Sequence, residues 1–132
     1  MNVDKKAKHM TFFVKVCHSA IDLQLGLLEK RPLPDDDFSK GYVWGFVDGA
    51  LQASNLDEDE QEELWLAVGA VLFKEWYGND GPDQLRKTLH EQATNYLIQL
   101  GTRIGGEEAF EFCSKGKNGR VPNFLAAYIS PK

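Results

Sequence analysis

Asp48 is the only carboxylate in "GYVWGFVDGALQASNL", Gly41 to Leu56, a stretch otherwise made of apolar, small and uncharged polar residues. Gln52 follows one helical turn later, so the two side chains share a helix face. A carboxylate among apolar neighbours needs a charged or hydrogen-bonding partner. Arg86, Arg103, His90 or a tryptophan N–H could supply it. Left alone, the carboxyl would rise in pKa and become a candidate acid or base. A structural ion pair is the expectation. The rival is a small-ligand pocket between the second and third helices, built from Asp48, Gln52, Trp44 and Trp76.

Other reactive residues carry less. A di-iron helical bundle needs Glu-x-x-His on two helices, but Lys6, Lys15 and Lys87 stand three residues before His9, His18 and His90. His18 and Asp22 are spaced to share a metal, yet two ligands on a polar strip fit a surface pair better, and no metal or cofactor is expected. Cys17 and His18 are adjacent, hence about 100° apart on a helix, and cannot work as nucleophile and base together. Cys17 and Cys113 both read as structural residues. The chain has no phosphate-binding glycine loop, no dinucleotide fingerprint and no calcium-loop pattern in "DEDEQEE". "KGKNGR", Lys115 to Arg120, with Phe124 and Tyr128 beyond it, could touch an anion or nucleic acid. The net charge of −5 argues against nucleic acid as a partner. The Asp48–Gly49 pair is similar to one in tellurite-resistance helical domains, but the downstream acid of that pattern falls in the wrong place and no family is assigned.

These residues must be positioned by helices. The first helix is expected from about Asp4 to Glu29. Lys8, Thr11, Lys15, His18, Ser19, Asp22, Gly26 and Glu29 form one polar strip, and nearly everything else in it is apolar. An arc that wide suits a helix contacted on two sides. Pro32 and Pro34 end it. An Asp cap from Asp35–Asp37 starts a second helix over Phe38 to Ser54. Asp57 with Glu60 forms a capping box for a third, which stops at Gly78. The short turn between these two requires a central antiparallel hairpin. Pro82 opens a fourth helix carrying Leu85, Leu89, Tyr96, Leu97 and Leu100, and "GTRIGG" is expected to break it. A short fifth helix over Glu107 to Ser114 and a final turn or two over Pro122 to Ile129 complete an all-α, single-domain bundle of five to six helices spanning residues 1–132.

Gly41, Gly45, Gly49 and Ala53 recur at every fourth position. This is a membrane dimer pattern, but a crossing needs about 20 apolar residues and this run contains Asp48 and Gln52. A membrane is excluded on that ground. Each helical glycine costs about 1 kcal/mol against alanine, so the ridge is expected to bring its backbone close to another helix or to a ligand. The face of Trp65, Gly69, Leu72 and Trp76 on the third helix is expected to fill it.

The 132 residues are 42% hydrophobic and 27% charged, a balance that suits a globular chain rather than a disordered one. Two cysteines and no signal peptide place it in the cytoplasm. Residues 1–33 carry six basic and three acidic side chains, and residues 34–64 one basic and ten acidic. Three functions follow. The first is a non-enzymatic protein that self-associates, most simply as a homodimer through the first or second helix, and acts by protein contacts. The second is the Asp48 pocket, as a ligand-binding protein or enzyme. The third is an acidic inhibitor whose Asp35–Glu63 surface competes for a basic partner.

Overall fold

Asn2 opens the first helix by accepting the Lys5 N–H at 2.8 Å, and α1 runs Val3–Gly26 before a turn in which Glu29 takes a positive φ of 60°. The computed structural model describes residues 1–29, 32–115 and 121–129. Asp36 caps α2 (Asp37–Gln52) through the Ser39 N–H. Both arms of the Asp57–Glu60 capping box are present at the start of α3 (Glu58–Tyr77), and Gly78 ends it at φ 77°, a conformation that favours glycine. A 3-10 turn over Gly78–Asp80 leads into α4 (Gly81–Glu91), followed by α5 (Tyr96–Lys115) and the short α6 (Phe124–Ile129). Among the described residues there is no strand, and the chain is an all-α helical bundle.

The glycine ridge meets α5, not α3. A Cβ on Gly41 would strike the backbone of Ile98, one on Gly45 the backbone of Thr102, and one on Gly49 the backbone of Gly106. Each step of four along α2 answers a step of four along α5, so the two helices run parallel. The contact is reciprocal. A Cβ on Gly101 would strike Phe38 and Tyr42 backbone, and one on Gly105 the Tyr42 backbone. The expectation that helix three fills the ridge is therefore corrected. Gly69 of α3 instead makes room for the Trp44 ring, which would lie 2.9 Å from a Cβ there. Ala53, one step beyond the ridge, lines a groove against α1.

The same packing explains why "GTRIGG" does not break a helix. Gly101, Gly105 and Gly106 sit inside α5, where backbone-to-backbone approach offsets their poor helix propensity. The expected fourth helix is really two. α4 ends at Glu91, and Asn95 starts α5 by accepting the Ile98 N–H at 3.1 Å. The expected fifth helix, Glu107 to Ser114, is the last part of α5.

Trp44 lies against Trp65 and Gly69, whereas Leu51, two turns on, shares a groove with Gln61. α2 and α3 thus form the antiparallel hairpin. α4 folds back along α3, with Gly81 against the Phe73 backbone and Leu85 beside Gly69. Together these helices cover nearly all of α2: only Asp37, Lys40 and Asp48 are half-buried and only Gln52 is exposed. α1 is covered less well. Phe13, Cys17, Ala20, Ile21, Gln24 and Leu25 are buried, but Phe12, Leu23 and Leu27 remain 59%, 55% and 69% exposed. Among the described residues, no helix is long and apolar enough to cross a membrane.

Candidate functional site

Asp48 is carried on the outer side of α2, off the glycine ridge, where it is half-buried and accepts a hydrogen bond from Gln52 Nε2 at 2.8 Å. The expected buried ion pair is absent among the described residues: Arg86 pairs with Asp83 and Arg103 with Glu107. Two shallow grooves meet at Asp48, Gln52 and Phe110. One, of about 510 Å³, runs between α2 and the start of α3 and adds Leu51, Glu58, Gln61, Glu62 and Trp65. The other, of about 710 Å³, runs along α5, where Arg103 and Lys115 are paired with Glu107 and Glu111.

The first groove is negative. Asp48, Glu58 and Glu62 line it without a basic side chain, and Trp65 and Phe110 give it aromatic walls. The buried Trp65 Nε1 has no hydrogen-bond partner in the structure. Such a lining suits a cationic group, held by charge and by the ring faces. Of the four residues expected in a pocket, Asp48 and Gln52 stand together here. Trp44 lies beneath, fully buried and stacked on Trp65 at 4.6 Å, and Trp76 is on the other side of α3, stacked flat on His18 at 5.0 Å. Neither lines this groove. Sequence reasoning misses Trp65, Phe110, Glu58 and Glu62 as groove residues. The four-residue spacing of Trp65 to Gly69 is a signal for the first. Phe110 is hidden when it is placed in a separate helix.

Because Asp48 is only half-buried and partnered by a neutral amide, Asp48→Asn is expected to change unfolding free energy by less than about 0.5 kcal/mol. The asparagine oxygen can still accept from Gln52. A loss above about 2 kcal/mol in urea titration would show a stronger partner than this geometry contains.

The remaining chemistry-bearing residues are built into the fold. His18 faces Glu75, with Nε2 at 3.8 Å from its carboxylate, rather than sharing a metal with Asp22. Among the described residues no three His, Cys, Asp or Glu side chains converge on a metal position. The acidic run Asp35–Glu63 is not one surface. Its Asp35–Asp37 end sits at the start of α2 and its Asp57–Glu63 end at the start of α3, separated by the length of α2, roughly 20–25 Å, and several of its members are engaged: Asp35 with Lys40, Asp37 with Asn95, Glu60 with Lys5, and Glu63 with the N-terminal amine. "KGKNGR" falls, apart from Lys115, outside the described residues; Phe124 and Tyr128 pack on Phe38.

A polar chain, buried at Gln24 and Tyr42 and exposed at its far end, joins four helices. Gln24 Nε2 of α1 donates to the Tyr42 hydroxyl of α2 at 3.0 Å, and that hydroxyl donates to Glu108 Oε1 of α5 at 2.6 Å. Glu108 also accepts the Asn123 and Phe124 N–H groups at the start of α6, while Gln24 Oε1 accepts the Ala126 N–H. The sequence signal is Gln24, a polar residue on the apolar arc of the first helix.

Burial pushes the Tyr42 phenol far up, with the Glu108 carboxylate adding to it; the half-buried Tyr77 is raised by desolvation and then by Asp36 and Asp35, and the Cys17 thiol by burial. These groups fold neutral. On unfolding they titrate in the ordinary thiol and phenol range, so the unfolded chain holds fewer protons at high pH and stability falls as pH rises. Alkaline unfolding is expected to set in above about pH 9 to 10, with Tyr77→Phe moving the onset upward. Stability constant up to about pH 11 would contradict it.

No protein-family model, curated protein or solved structure matches this chain. Its function must therefore be read from the geometry alone.

Proposed function

We propose that this chain is a non-catalytic, cytoplasmic helical protein that self-associates and acts through protein contacts. The observation that carries this reading is the uncovered apolar side of α1. Phe12, Leu23 and Leu27 are more than half exposed, and Phe12 stands at the edge of an apolar groove of about 610 Å³ between α1, the end of α2 and the end of α5. Large apolar side chains left exposed beside an apolar groove suit an interaction site. Cys17 and Tyr42, whose pKa values burial raises, are fully buried inside the bundle. Free thiols at Cys17 and Cys113 suit a reducing compartment. The second helix, spent on α5, α3 and α1, drops out as an interface. Light scattering at micromolar concentration is expected to give twice the chain mass of 14.9 kDa. A mass that stays at the single-chain value as concentration rises would refute self-association.

A second reading is favoured by the negative groove at Asp48. Its three carboxylates and aromatic walls fit an arginine or lysine side chain of a basic partner. Calorimetric titration with an arginine-rich peptide should then show binding that weakens in Asp48→Asn and with added salt. Equal heats for both proteins would remove it.

A further inference from the structure

We propose that α1 pairs with α1 of a second copy, antiparallel and about a two-fold axis level with Cys17 and His18. The inference rests on the self-association reading and names its surface. Along the uncovered flank of α1, side chains repeat at alternating spacings of four and three: Lys5, His9, Phe12, Val16, Ser19, Leu23 and Gly26. Of these seven positions, Phe12, Val16 and Leu23 carry the apolar side chains that a two-stranded coiled coil would bury at its seam, while Lys5 at one end pairs with Glu60. All but His9 and Val16, which are half-buried, are exposed.

Direction follows from size and charge. In a parallel, in-register pair Phe12 would meet Phe12, Ser19 would meet Ser19 and Gly26 would meet Gly26, leaving gaps beside a crowded layer. Antiparallel, Phe12 lies opposite Leu23 of the second copy, Val16 opposite Ser19, and His9 opposite Gly26, so each larger side chain faces an equal or smaller one. Gly26 has open space around its Cβ direction, with no atom within 4 Å. On the outer border of the seam stand Lys15 and Asp22, both exposed and, among the described residues, in no ion pair. The antiparallel register sets Lys15 of each copy against Asp22 of the other. The parallel register sets Lys15 against Ala20.

The pairing also fills the apolar groove. His9, Phe12 and Val16 form its α1 wall, and Ala53, Leu56 and Phe112 stand across from them. Leu23 and Leu27 of the second copy would arrive at that wall, and by symmetry the exchange happens twice. A self-complementary patch of this kind closes as a dimer rather than growing into a filament.

Sedimentation equilibrium on the whole chain tests it, with circular dichroism confirming that each variant stays helical. Phe12→Ser with Leu23→Ser changes two exposed positions and should leave a folded monomer. Lys15→Asp alone and Asp22→Lys alone each place like charges opposite one another at two sites, and each should weaken the dimer about tenfold. The two swaps together restore opposite charges and should return the dissociation constant to within about threefold of the parent's. A dimer unaffected by the Phe12–Leu23 change would overturn this surface while leaving self-association intact. Loss of the dimer in the double swap as in the singles would overturn the antiparallel register. A monomeric parent protein would overturn both the surface and the reading it rests on.

Discussion

Gly45→Leu is expected to remove more than about 4 kcal/mol of stability, close to the whole margin of a chain this size. The added Cβ alone would point into the Thr102 backbone, with its carbonyl carbon and Cα both 2.7 Å away and its oxygen nearer still. A flexible side chain could swing aside. A helix backbone can yield only if α5 moves as a body, and Gly41 against Ile98 and Gly49 against Gly106 pin it on either side. The leucine therefore cannot be accommodated by rotamer choice, and overpacking adds to helix displacement. Even Gly45→Ala should lower the melting temperature strongly. Gly26→Ala is the internal contrast. Its Cβ would meet nothing, and alanine there should be neutral or stabilising by about 0.4–1 kcal/mol through the unfolded state. Urea denaturation of the three variants reads the difference. A Gly45→Leu protein as stable as the parent would mean that α2 and α5 are not in backbone contact.

The spacing of Gly41, Gly45 and Gly49 makes close helix contact legible in the sequence, because small residues at every fourth position have few other uses in a helix. Their partner is not legible. Gly101 and Gly105 carry the same four-residue signal, but "GTRIGG" also looks like a break, and propensity alone cannot weigh glycine's cost against tertiary contact. Losing α5 as a continuous helix has two consequences. It leaves α3 as the only visible partner for the ridge, and it hides Phe110 from the groove at Asp48. Capping, by contrast, is a local interaction, and Asp57 with Glu60 marks the start of α3 from sequence alone. The outward placement of Asp48 escapes sequence reasoning for a related reason. A helix that reads apolar almost all round can still turn one residue outward, and only the positions of α3 and α5 reveal which. The Gln24–Tyr42–Glu108 chain is least legible, since its members lie 18 and 66 residues apart in sequence.

That chain gives the second large effect. Glu108→Ala is expected to lower global stability by about 2–3 kcal/mol and to release α6 first. The Tyr42 hydroxyl is buried and would lose its acceptor, and the Asn123 and Phe124 N–H groups would lose the carboxylate that satisfies them. A hydrogen bond to a charged group contributes about 1.5–3 kcal/mol and a lost helix cap typically about 1 kcal/mol, with partial compensation by water at the exposed end. Glu108→Gln should lie between parent and alanine, because its one carbonyl oxygen can serve Tyr42 or α6 while its NH2 opposes a backbone N–H. Tyr42→Phe should cost less in the Glu108→Ala background than in the parent, since the hydroxyl's acceptor is already gone. Amide exchange separates this from a general loosening. Phe124 and Ala126 should lose protection in Glu108→Ala while the α2–α5 contact keeps its own, because the backbone packing of Gly45 on Thr102 does not depend on the carboxylate. Unchanged protection at α6 would show that Leu125, fully buried beneath it, and the rings of Phe124 and Tyr128 on Phe38 hold the helix without Glu108.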